Sequence, residues 1–506
     1  MQQMRCLYLT FCLILNLNAT PAHEAKPVKS TVAAAESTNL KDNDNYKNKN
    51  NVLLISFDSF GWKYLDLVKT PVLNSFKDQG VYADYLINVI PTETFPNHIS
   101  LATGLYPETH GIIANNMYDP EFNDTFNMTV TDPKWWWHKG IEPLWYTNER
   151  QGGTSGVIWW PGYNIQNYTP KYWNKNTKIS YKHKVDLALS WLKSEKPPNL
   201  LMMYFGMLDH AGHHNGFGSP QSLQEVINND NITGYIIEQL RQNNLLDKWN
   251  IIVTADHGMA NISKSKVINI TNYLNTSECM VNGNKHINFV WPKEGMKDKV
   301  YKKLKANHHP NMKVWLKENF PKEFHYYNNR RIGPILLTAD EGWTFAINPA
   351  TFHMKFKGSH GYLNTFPLMW PIFFARGPAF KKGYHSKEVF NTIDLYPLMC
   401  KLLKINPNPN NGSYSAVKPL LNDANQSMSP ILVGVMVMSL FFAFGIMTCA
   451  TAICLSNRKV NKVRKNRGWN NNMANSQLEQ SDKLLLNEDG NDDEEEEFIA
   501  PRSDTL

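Results

Sequence analysis

Three apolar segments well separated along the chain each end next to an acidic residue. They are residues 52–57 before Asp58, residues 201–208 before Asp209, and residues 251–255 before Asp256. Continuous apolar runs of this length, bounded by turn residues, are typical of strands that are buried on both faces of a parallel sheet. The pattern predicts an α/β fold with a mostly parallel central sheet and helices on both faces.

The ends of these strands are where a binding site is expected, because ligands bind beyond the carboxyl ends of parallel strands. The same segments carry His213 and His257, and a separate Gly-Ser-His-Gly segment carries His360. Three carboxylates and three imidazoles in one pocket would repel or stay unpaired without a cation. Each acid taken alone is as well interpreted as a helix cap. The four segments together favour two divalent metals, a pair that suits phosphoryl transfer.

A hydroxyl nucleophile for such a site is found in residues 91–98, which read PTETFPNH. A hydroxyl reacts poorly at neutral pH, and a bound metal activates it by stabilising the alkoxide. Taken alone, the segment also suits a hydrophilic turn with a helix cap. Beside an Asp-rich metal site, however, Thr94 is predicted to be the nucleophile.

The two ends of the chain predict secretion and a membrane anchor. Residues 1–22 combine Arg5, a short apolar stretch and small residues, as in a cleaved signal peptide. Residues 430–455 are apolar and uncharged, are long enough to cross a bilayer, and precede a run of Lys and Arg on the side that is then cytoplasmic. The expected organisation is a signal peptide (1–22), a disordered lead-in (23–50), the main external domain (51–406), a stalk (407–429), a transmembrane helix (430–455) and a cytoplasmic tail (456–506). We therefore expect a type I plasma-membrane protein, and shedding of its external domain stays open.

The net charge, the external cysteines and the N-glycosylation sequons add further expectations. The formal net charge is +7 with dispersed lysines, which is weak support for anionic substrates and shows no basic cluster for a nucleic-acid duplex. The external Cys279 and Cys400 either form one bridge or stay separate as buried thiols. Acceptor sequons for N-glycosylation occur at Asn123, Asn127, Asn167, Asn231, Asn261, Asn269, Asn275, Asn411 and Asn425.

The order of the motifs carries a family resemblance. The segments are Asp58, then Thr94-Phe95-Pro96-Asn97-His98, Asp209-x-x-x-His213, Asp256-His257-Gly258 and His360-Gly361-Tyr362. In this combination the chain resembles the ectonucleotide pyrophosphatase/phosphodiesterase family of the alkaline-phosphatase superfamily. The resemblance covers residues 51–406 and implies an alkaline-phosphatase-like phosphodiesterase domain there. Residues 339–343 and the C-terminal apolar segment are most similar to the short single-domain type I members.

The resemblance also implies cofactors and roles. It implies two Zn²⁺ ions, one held by Asp209, His213 and His360 and the other by Asp58, Asp256, His257 and the Thr94 oxygen. Mixed imidazole and carboxylate ligands agree with catalytic zinc. Thr94 is then expected to form a threonyl-nucleotide intermediate, which a zinc-activated water hydrolyses. Asn115 matches the family's amide that donates to a phosphoryl oxygen of the substrate.

Substrate recognition is expected to rest on aromatic side chains. Phe95 matches the ring that stacks on the base in nucleotide-cleaving relatives, and Tyr172 is predicted as the second ring, with Tyr168 as a weaker candidate. The expected activity is hydrolysis of extracellular nucleotides or dinucleotides to nucleoside monophosphates. Two alternatives stay open. A phospholipid or choline-phosphate phosphodiesterase would need an aromatic cation cage, and a catalytically silent receptor or adhesion ectodomain would be expected to have lost a ligand.

Overall fold

The computed structural model describes residues 51–137, 140–174, 179–346, 355–422 and 430–482. The chain divides into two units, Met1–Asn422 and Asp423–Leu506. The predicted signal peptide and lead-in, and the tail beyond residue 482, lie outside the described residues.

An eight-stranded sheet forms the centre of the first unit. The strands of the described residues are β1 (Asn51–Phe57), β2 (Val81–Ala83), β3 (Met117–Asp119), β4 (Asp124–Phe126), β5 (Ser155–Ile158), β6 (Tyr172–Trp173), β7 (Leu200–Phe205), β8 (Trp249–Thr254), β9 (Ala260–Asn261), β10 (Val267–Asn269), β11 (Cys279–Gly283), β12 (Ile287–Pro292), β13 (Met312–Leu316), β14 (Ile335–Ala339), β15 (Thr344–Ala346), β16 (Gly358–Ser359), β17 (Phe373–Arg376) and β18 (Tyr384–Ser386). The central order is β18-β2-β17-β8-β1-β7-β5-β6. All its pairs are parallel except those that β17 makes with β2 and β8. The predicted mostly parallel sheet is confirmed.

Both faces of this sheet are covered by helices. The helices of the described residues are α1 (Pro71–Gln79), α2 (Thr94–Thr103), α3 (Pro107–His110), α4 (Leu144–Arg150), α5 (Tyr181–Leu192), α6 (Met207–Asn215), α7 (Pro220–Gln242), α8 (Lys297–Ala306), α9 (Leu395–Leu403), α10 (Tyr414–Val417) and α11 (Pro430–Asp482). Successive residues of a strand point to opposite faces, so Val52 and Leu54 of β1 join one apolar core while Leu53 and Ile55 join the other. Residues of α2, α4 and α9 complete the first core, and residues of α1, α5 and α7 complete the second.

A smaller antiparallel sheet follows the central strands in the sequence. Its order is β11-β12-β14-β13, and α8 packs on it. Val290, Leu304 and Leu337 form part of its own apolar core. The loop between β11 and β12 runs back towards the segment that carries His360, because the Asn284 side chain donates to Gly361 O (3.1 Å).

The structure differs from the sequence interpretation near Asp209. The apolar run does not continue as a strand to residue 208, because β7 ends at Phe205 and α6 begins at Met207. Gly206 makes the transition, with φ −107° and ψ 4°. Asp209 therefore lies in the first turn of a helix, and His213 follows one turn later on the same face.

The compact first unit extends beyond the predicted end of the external domain. Residues 407–422 were expected to be a stalk, yet Val417 and Leu420 are fully buried in the first core. The Asn422 backbone N–H donates to Ala379 O (2.8 Å). These apolar side chains hold the segment on the domain. The remainder of the predicted stalk, residues 423–429, lies outside the described residues.

The second unit contains the long helix α11. Its apolar part that is long enough to cross a membrane is Met438–Val463, with a mean hydropathy of 2.0. The predicted span, residues 430–455, lies within α11 and overlaps this part of the helix.

The external cysteines and sequons are placed as follows. Cys279 and Cys400 are separate buried thiols, so the alternative of a bridge between them is not realised. Seven of the predicted glycosylation sites are exposed, Asn269 is half-buried, and Asn425 lies outside the described residues. The Asn261 amide contacts both backbone groups of Phe217 (2.8 and 3.2 Å).

Candidate metal centre

The predicted ligands come from four parts of the chain that the fold brings to one edge of the central sheet. Asp58 follows β1, Asp256 and His257 follow β8, and Asp209 and His213 lie on α6. His360 follows β16, which pairs with β9 directly after the β8 loop. The parallel register of β1 with β7 and β8 places these strand ends side by side. The sequence interpretation of a shared carboxyl edge agrees with this arrangement.

One cluster contains Asp209, His213 and His360. Asp209 Oδ1 lies 3.4 Å from Nε2 of each imidazole, and the two Nε2 atoms are 3.1 Å apart. The side chains of Asp209 and His213 are 19% and 21% exposed, so this cluster is open to solvent on one side.

The second cluster is buried and lies against the first. His257 Nε2 lies 3.4 Å from Asp58 Oδ1, 3.2 Å from Asp256 Oδ2 and 3.3 Å from Thr94 Oγ1. The rings of His257 and His360 stack with their centroids 3.7 Å apart, which connects the two clusters. The structure thus brings together all seven residues that the sequence analysis assigned to metal binding.

The imidazoles are oriented by carbonyl oxygens. His213 Nδ1 donates to Gly358 O (2.9 Å), His360 Nδ1 to Thr92 O (3.0 Å) and His257 Nδ1 to Gly258 O (2.9 Å). A carbonyl only accepts, so each neutral ring carries its proton on Nδ1 and presents the Nε2 lone pair to the clusters. Lone pairs that face one another at 3.1 Å are the arrangement expected around a cation.

The carboxylates also indicate that a positive charge belongs in this site. Burial, together with the Asp256 and Asp209 carboxylates, raises the pKa of Asp58 well above its usual range, and burial raises the pKa of Asp256 to about 8. Within the part of the chain that the structure describes, Asp58 Oδ1 and Asp256 Oδ2 are buried with no hydrogen-bond donor. Such orphaned oxygens are costly. A divalent cation would satisfy them, so the residues present fit a metal centre.

Three supporting residues were not identified from the sequence. The Tyr204 hydroxyl donates to Asp58 Oδ2. The Ser59 backbone N–H donates to Asp256 Oδ1 (3.1 Å), and its hydroxyl lies 3.2 Å from Asp209 Oδ1. His98 Nδ1 lies between Thr94 O (2.8 Å) and Asp256 Oδ2 (3.3 Å). A tyrosine hydroxyl inside an otherwise apolar strand next to the site was the available signal for Tyr204.

Thr94 occupies the first position of α2. Unpaired backbone N–H groups at a helix N-terminus favour an anion such as a phosphoryl group. Two hydrogen bonds fix the nearby Asn115, since its backbone N–H donates to Glu93 Oε2 (2.8 Å) and its Oδ1 accepts from the Phe95 N–H (2.9 Å). The Asn115 Nδ2 group donates to none of the described residues in these contacts. Glu93 is buried, and burial raises its pKa to about 7.

The predicted aromatic pair is not brought together. Phe95 contacts Trp136 and Phe126 in the first core, at ring distances of 5.9 and 6.2 Å. Tyr172 packs on the other face of the sheet, where its ring stacks on Trp191 (5.7 Å) and its hydroxyl contacts Ser194 Oγ (2.7 Å).

Tyr168, the weaker candidate, packs against Tyr146 and Trp137, with ring centroids 4.8 and 6.0 Å apart. The assignment of Tyr172 to the base therefore disagrees with its contacts, because alternation along β6 points this side chain towards α5.

A mostly parallel sheet covered on both faces, with two adjoining ligand clusters and a threonine at its carboxyl edge, defines a metallo-phosphodiesterase of the alkaline-phosphatase type. The sequence model of type I phosphodiesterase/nucleotide pyrophosphatase matches residues 52–363. The chain belongs to the ectonucleotide pyrophosphatase/phosphodiesterase family, as the resemblance implied, and it is an enzyme of this class.

Several relatives cover most of the chain. Ectonucleotide pyrophosphatase/phosphodiesterase family member 5 of Homo sapiens is 40% identical over 385 residues, which are 75% of this chain and 80% of that protein. A bis(5′-adenosyl)-triphosphatase of Mus musculus is 38% identical over 409 residues, covering 80% of this chain and 88% of that protein. The solved structure of murine family member 5, an inactive threonine-to-alanine variant in complex with AMP, has a TM-score of 0.70 and 39% identity, and covers 74% of this chain and all of that chain.

Proposed function

We propose that this protein is a cell-surface, zinc-dependent phosphodiesterase and pyrophosphatase that hydrolyses extracellular nucleotides or dinucleotides to nucleoside monophosphates. The observation that carries the proposal is the position of Thr94 Oγ1, at the N-terminus of α2 and 3.3 Å from His257 Nε2 of the buried cluster. The threonine variant of the murine relative is described as inactive, and its complex with AMP supports a nucleotide as the ligand.

The chain's own residues account for the proposed steps. Thr94 Oγ forms the bond to phosphorus while the bond from phosphorus to the leaving oxygen breaks, and water later releases the nucleoside monophosphate from Thr94. The Asn115 amide and the Thr94 backbone N–H at the N-terminus of α2 stabilise the charge that develops on the phosphoryl oxygens. Two zinc ions, when bound by the clusters described above, would lower the pKa of the attacking hydroxyl and water.

The base is proposed to stack between Phe95 and Trp173 instead of Tyr172. Trp173 follows Tyr172 in β6, so its side chain points to the opposite face of the sheet. There it meets Tyr163 at 5.6 Å, and Tyr163 and Phe95 pack against the same apolar core. Stacking of this kind contributes about 1–3 kcal/mol per base.

The location is part of the proposal. The apolar part of α11 that precedes Arg458 would anchor the chain, with the catalytic unit outside and the Lys/Arg-rich segment from Arg458 onwards inside the cell. The exposed sequons of the first unit support an extracellular domain.

The test is hydrolysis by the detergent-solubilised full chain with and without Zn²⁺. The panel contains a nitrophenyl nucleotide ester, ATP, a diadenosine polyphosphate, NAD and lysophosphatidylcholine, with products identified by mass spectrometry. We expect zinc-dependent release of a nucleoside monophosphate, and no turnover by Thr94→Ala with its zinc content retained. Release of choline phosphate would establish the lipid alternative. A folded, zinc-loaded protein that cleaves nothing on the panel would establish the silent ectodomain.

A further inference from the structure

The chain turns sharply at Ser59, directly after the first predicted ligand. The Phe60 N–H donates to Phe57 O (3.1 Å), which closes a β-turn with Asp58 and Ser59 at its two central positions. Ser59 has a φ of 68°, in the left-handed region. At the third position of a β-turn this conformation usually requires glycine, because a Cβ lies too close to the following carbonyl oxygen. A serine at this position is therefore a strained residue.

The turn places the Ser59 hydroxyl between ligands of both clusters. Ser59 is fully buried, and its Oγ lies 3.2 Å from Asp209 Oδ1 of the open cluster and 3.3 Å from His257 Nδ1 of the buried cluster. Its backbone N–H donates to Asp256 Oδ1 (3.1 Å). A glycine with the same backbone would keep the contact to Asp256 and would lack the other two.

The direction of these hydrogen bonds follows from the tautomer of His257. Its Nδ1–H donates to Gly258 O (2.9 Å) with Ser59 Oγ 3.3 Å away, so this nitrogen approaches the hydroxyl as a donor. The serine proton is left for one of two acceptors, Asp209 Oδ1 or Gly258 O (3.1 Å). The carboxylate is the stronger acceptor because it is charged, and Gly258 O already accepts from His257. The hydroxyl therefore donates to Asp209 and accepts from His257.

This contact is of the kind that orients metal ligands. Carboxylates and imidazoles that bind a metal are normally held by a further hydrogen bond, which fixes the direction in which they meet the ion. Asp209 Oδ1 is the atom that lies 3.4 Å from the Nε2 atoms of His213 and His360. Because Asp209 is partly exposed, its carboxylate would be free to turn towards water without the Ser59 contact. Strained residues are concentrated at functional sites, where the surrounding structure holds them.

We propose that Ser59 is a positioning residue, whose left-handed backbone is tolerated because it holds the hydroxyl that orients Asp209 and His257 for metal binding. This inference rests on the metal centre of the proposed function. The open cluster depends on the hydroxyl most, because the buried cluster keeps the backbone contact to Asp256 and the contact of His257 to Gly258 after any substitution of Ser59. Removal of the hydroxyl is therefore expected to weaken metal binding in the open cluster selectively.

The experiment compares Ser59→Gly and Ser59→Ala in the detergent-solubilised full chain. Both variants lack the hydroxyl, and only glycine relieves the left-handed backbone. We expect both to bind Zn²⁺ in the open cluster about 10–100-fold more weakly than the wild type, measured by titration of the metal-free protein with Zn²⁺ alone. At limiting free zinc, the metal content is expected to fall from about two ions per chain to about one.

The unfolding temperature of the metal-free protein separates a positioning role from a purely structural one. Ser59→Gly is expected to unfold at the same temperature as the wild type or higher, and about 2 °C or more above Ser59→Ala, because alanine keeps the strain. A hydroxyl that served packing alone would give lower stability in both variants with unchanged zinc affinity, and this result would overturn the inference.

Two variants outside the metal centre serve as controls. Lys404→Gly relieves another left-handed residue (φ 57°) at the C-terminal end of α9, and Ser100→Ala removes a buried hydroxyl that contacts His110 Nε2 (3.1 Å). The first is expected to raise the unfolding temperature, the second to lower it, and neither to change zinc affinity. Wild-type zinc affinity in both Ser59 variants would overturn the inference. A wild-type protein that binds no zinc would instead count against the proposed function, so the two failures are distinguishable.

Discussion

The substitution Asn115→Asp tests the transition-state role of one side chain with little change in shape. In the structure Asn115 Oδ1 accepts from the Phe95 N–H (2.9 Å), and the Asn115 backbone N–H donates to Glu93 (2.8 Å). Aspartate can keep both contacts, because it retains an acceptor oxygen at the same position. What is lost is the Nδ2 donor, which is proposed to face the phosphoryl group at Thr94.

The expected magnitude follows from the loss of one preorganised donor. Removing such a donor from a site that stabilises developing charge costs about 2.7–4 kcal/mol, which corresponds to about 10²–10³ in kcat. The aspartate charge would add to this loss. Because Asn115 is only 8% exposed, solvent has little access to replace the missing donor.

The assay is steady-state hydrolysis of a nitrophenyl nucleotide ester, with zinc content and thermal unfolding measured on the same preparations. Asn116→Asp is the matched control, because it makes the same chemical change at the adjacent, exposed position, and it is expected to change kcat less than about threefold. A kcat of Asn115→Asp within about threefold of the wild type, in folded and zinc-loaded protein, would refute the assignment of Asn115 as the donor.

Two further predictions concern the base and the pH dependence of stability. Trp173→Ala is expected to raise KM for nucleotide esters by about tenfold or more. Tyr172→Ala removes a ring that packs on Trp191 and a hydroxyl that contacts Ser194 and Lys196, so it should leave KM unchanged and lower the unfolding temperature; the reverse result would restore Tyr172 to the site. Burial lowers the pKa of His110 and of His286 to about 3, so the unfolded state binds more protons below the ordinary histidine pKa. Stability is therefore expected to fall as the pH drops from about 6.5 towards 4, by about 1.4 kcal/mol per pH unit for each residue. Denaturant unfolding at several pH values measures the slope, and a slope that His110→Asn does not reduce would contradict this account.

The agreement between sequence and structure is best where a short-range pattern carries the information. The apolar runs before Asp58 and Asp256 are strands, and both acids follow them directly. The prediction for the run before Asp209 was wrong at its C-terminal end, because hydrophobicity alone does not distinguish the last residues of a strand from the first turn of a helix. Only the backbone at Gly206 shows the change. Residues 407–422 were misjudged for a related reason, since their Asn- and Pro-rich composition hides two apolar side chains that reach the core.

The amino-acid sequence by itself determined the fold class, the family and which residues to expect at the candidate metal centre, because each depends on residue type, spacing and order along the chain. Tertiary structure decided which nitrogen of each imidazole faces the clusters, which of two adjacent aromatic residues in β6 lies on the side of Phe95, and that the Ser59 hydroxyl lies between ligands of both clusters. These outcomes depend on contacts between segments that are far apart in the sequence. They are set by which carbonyl groups, sheet faces and aromatic rings lie against each residue. These contacts cannot be read from the local order of residues.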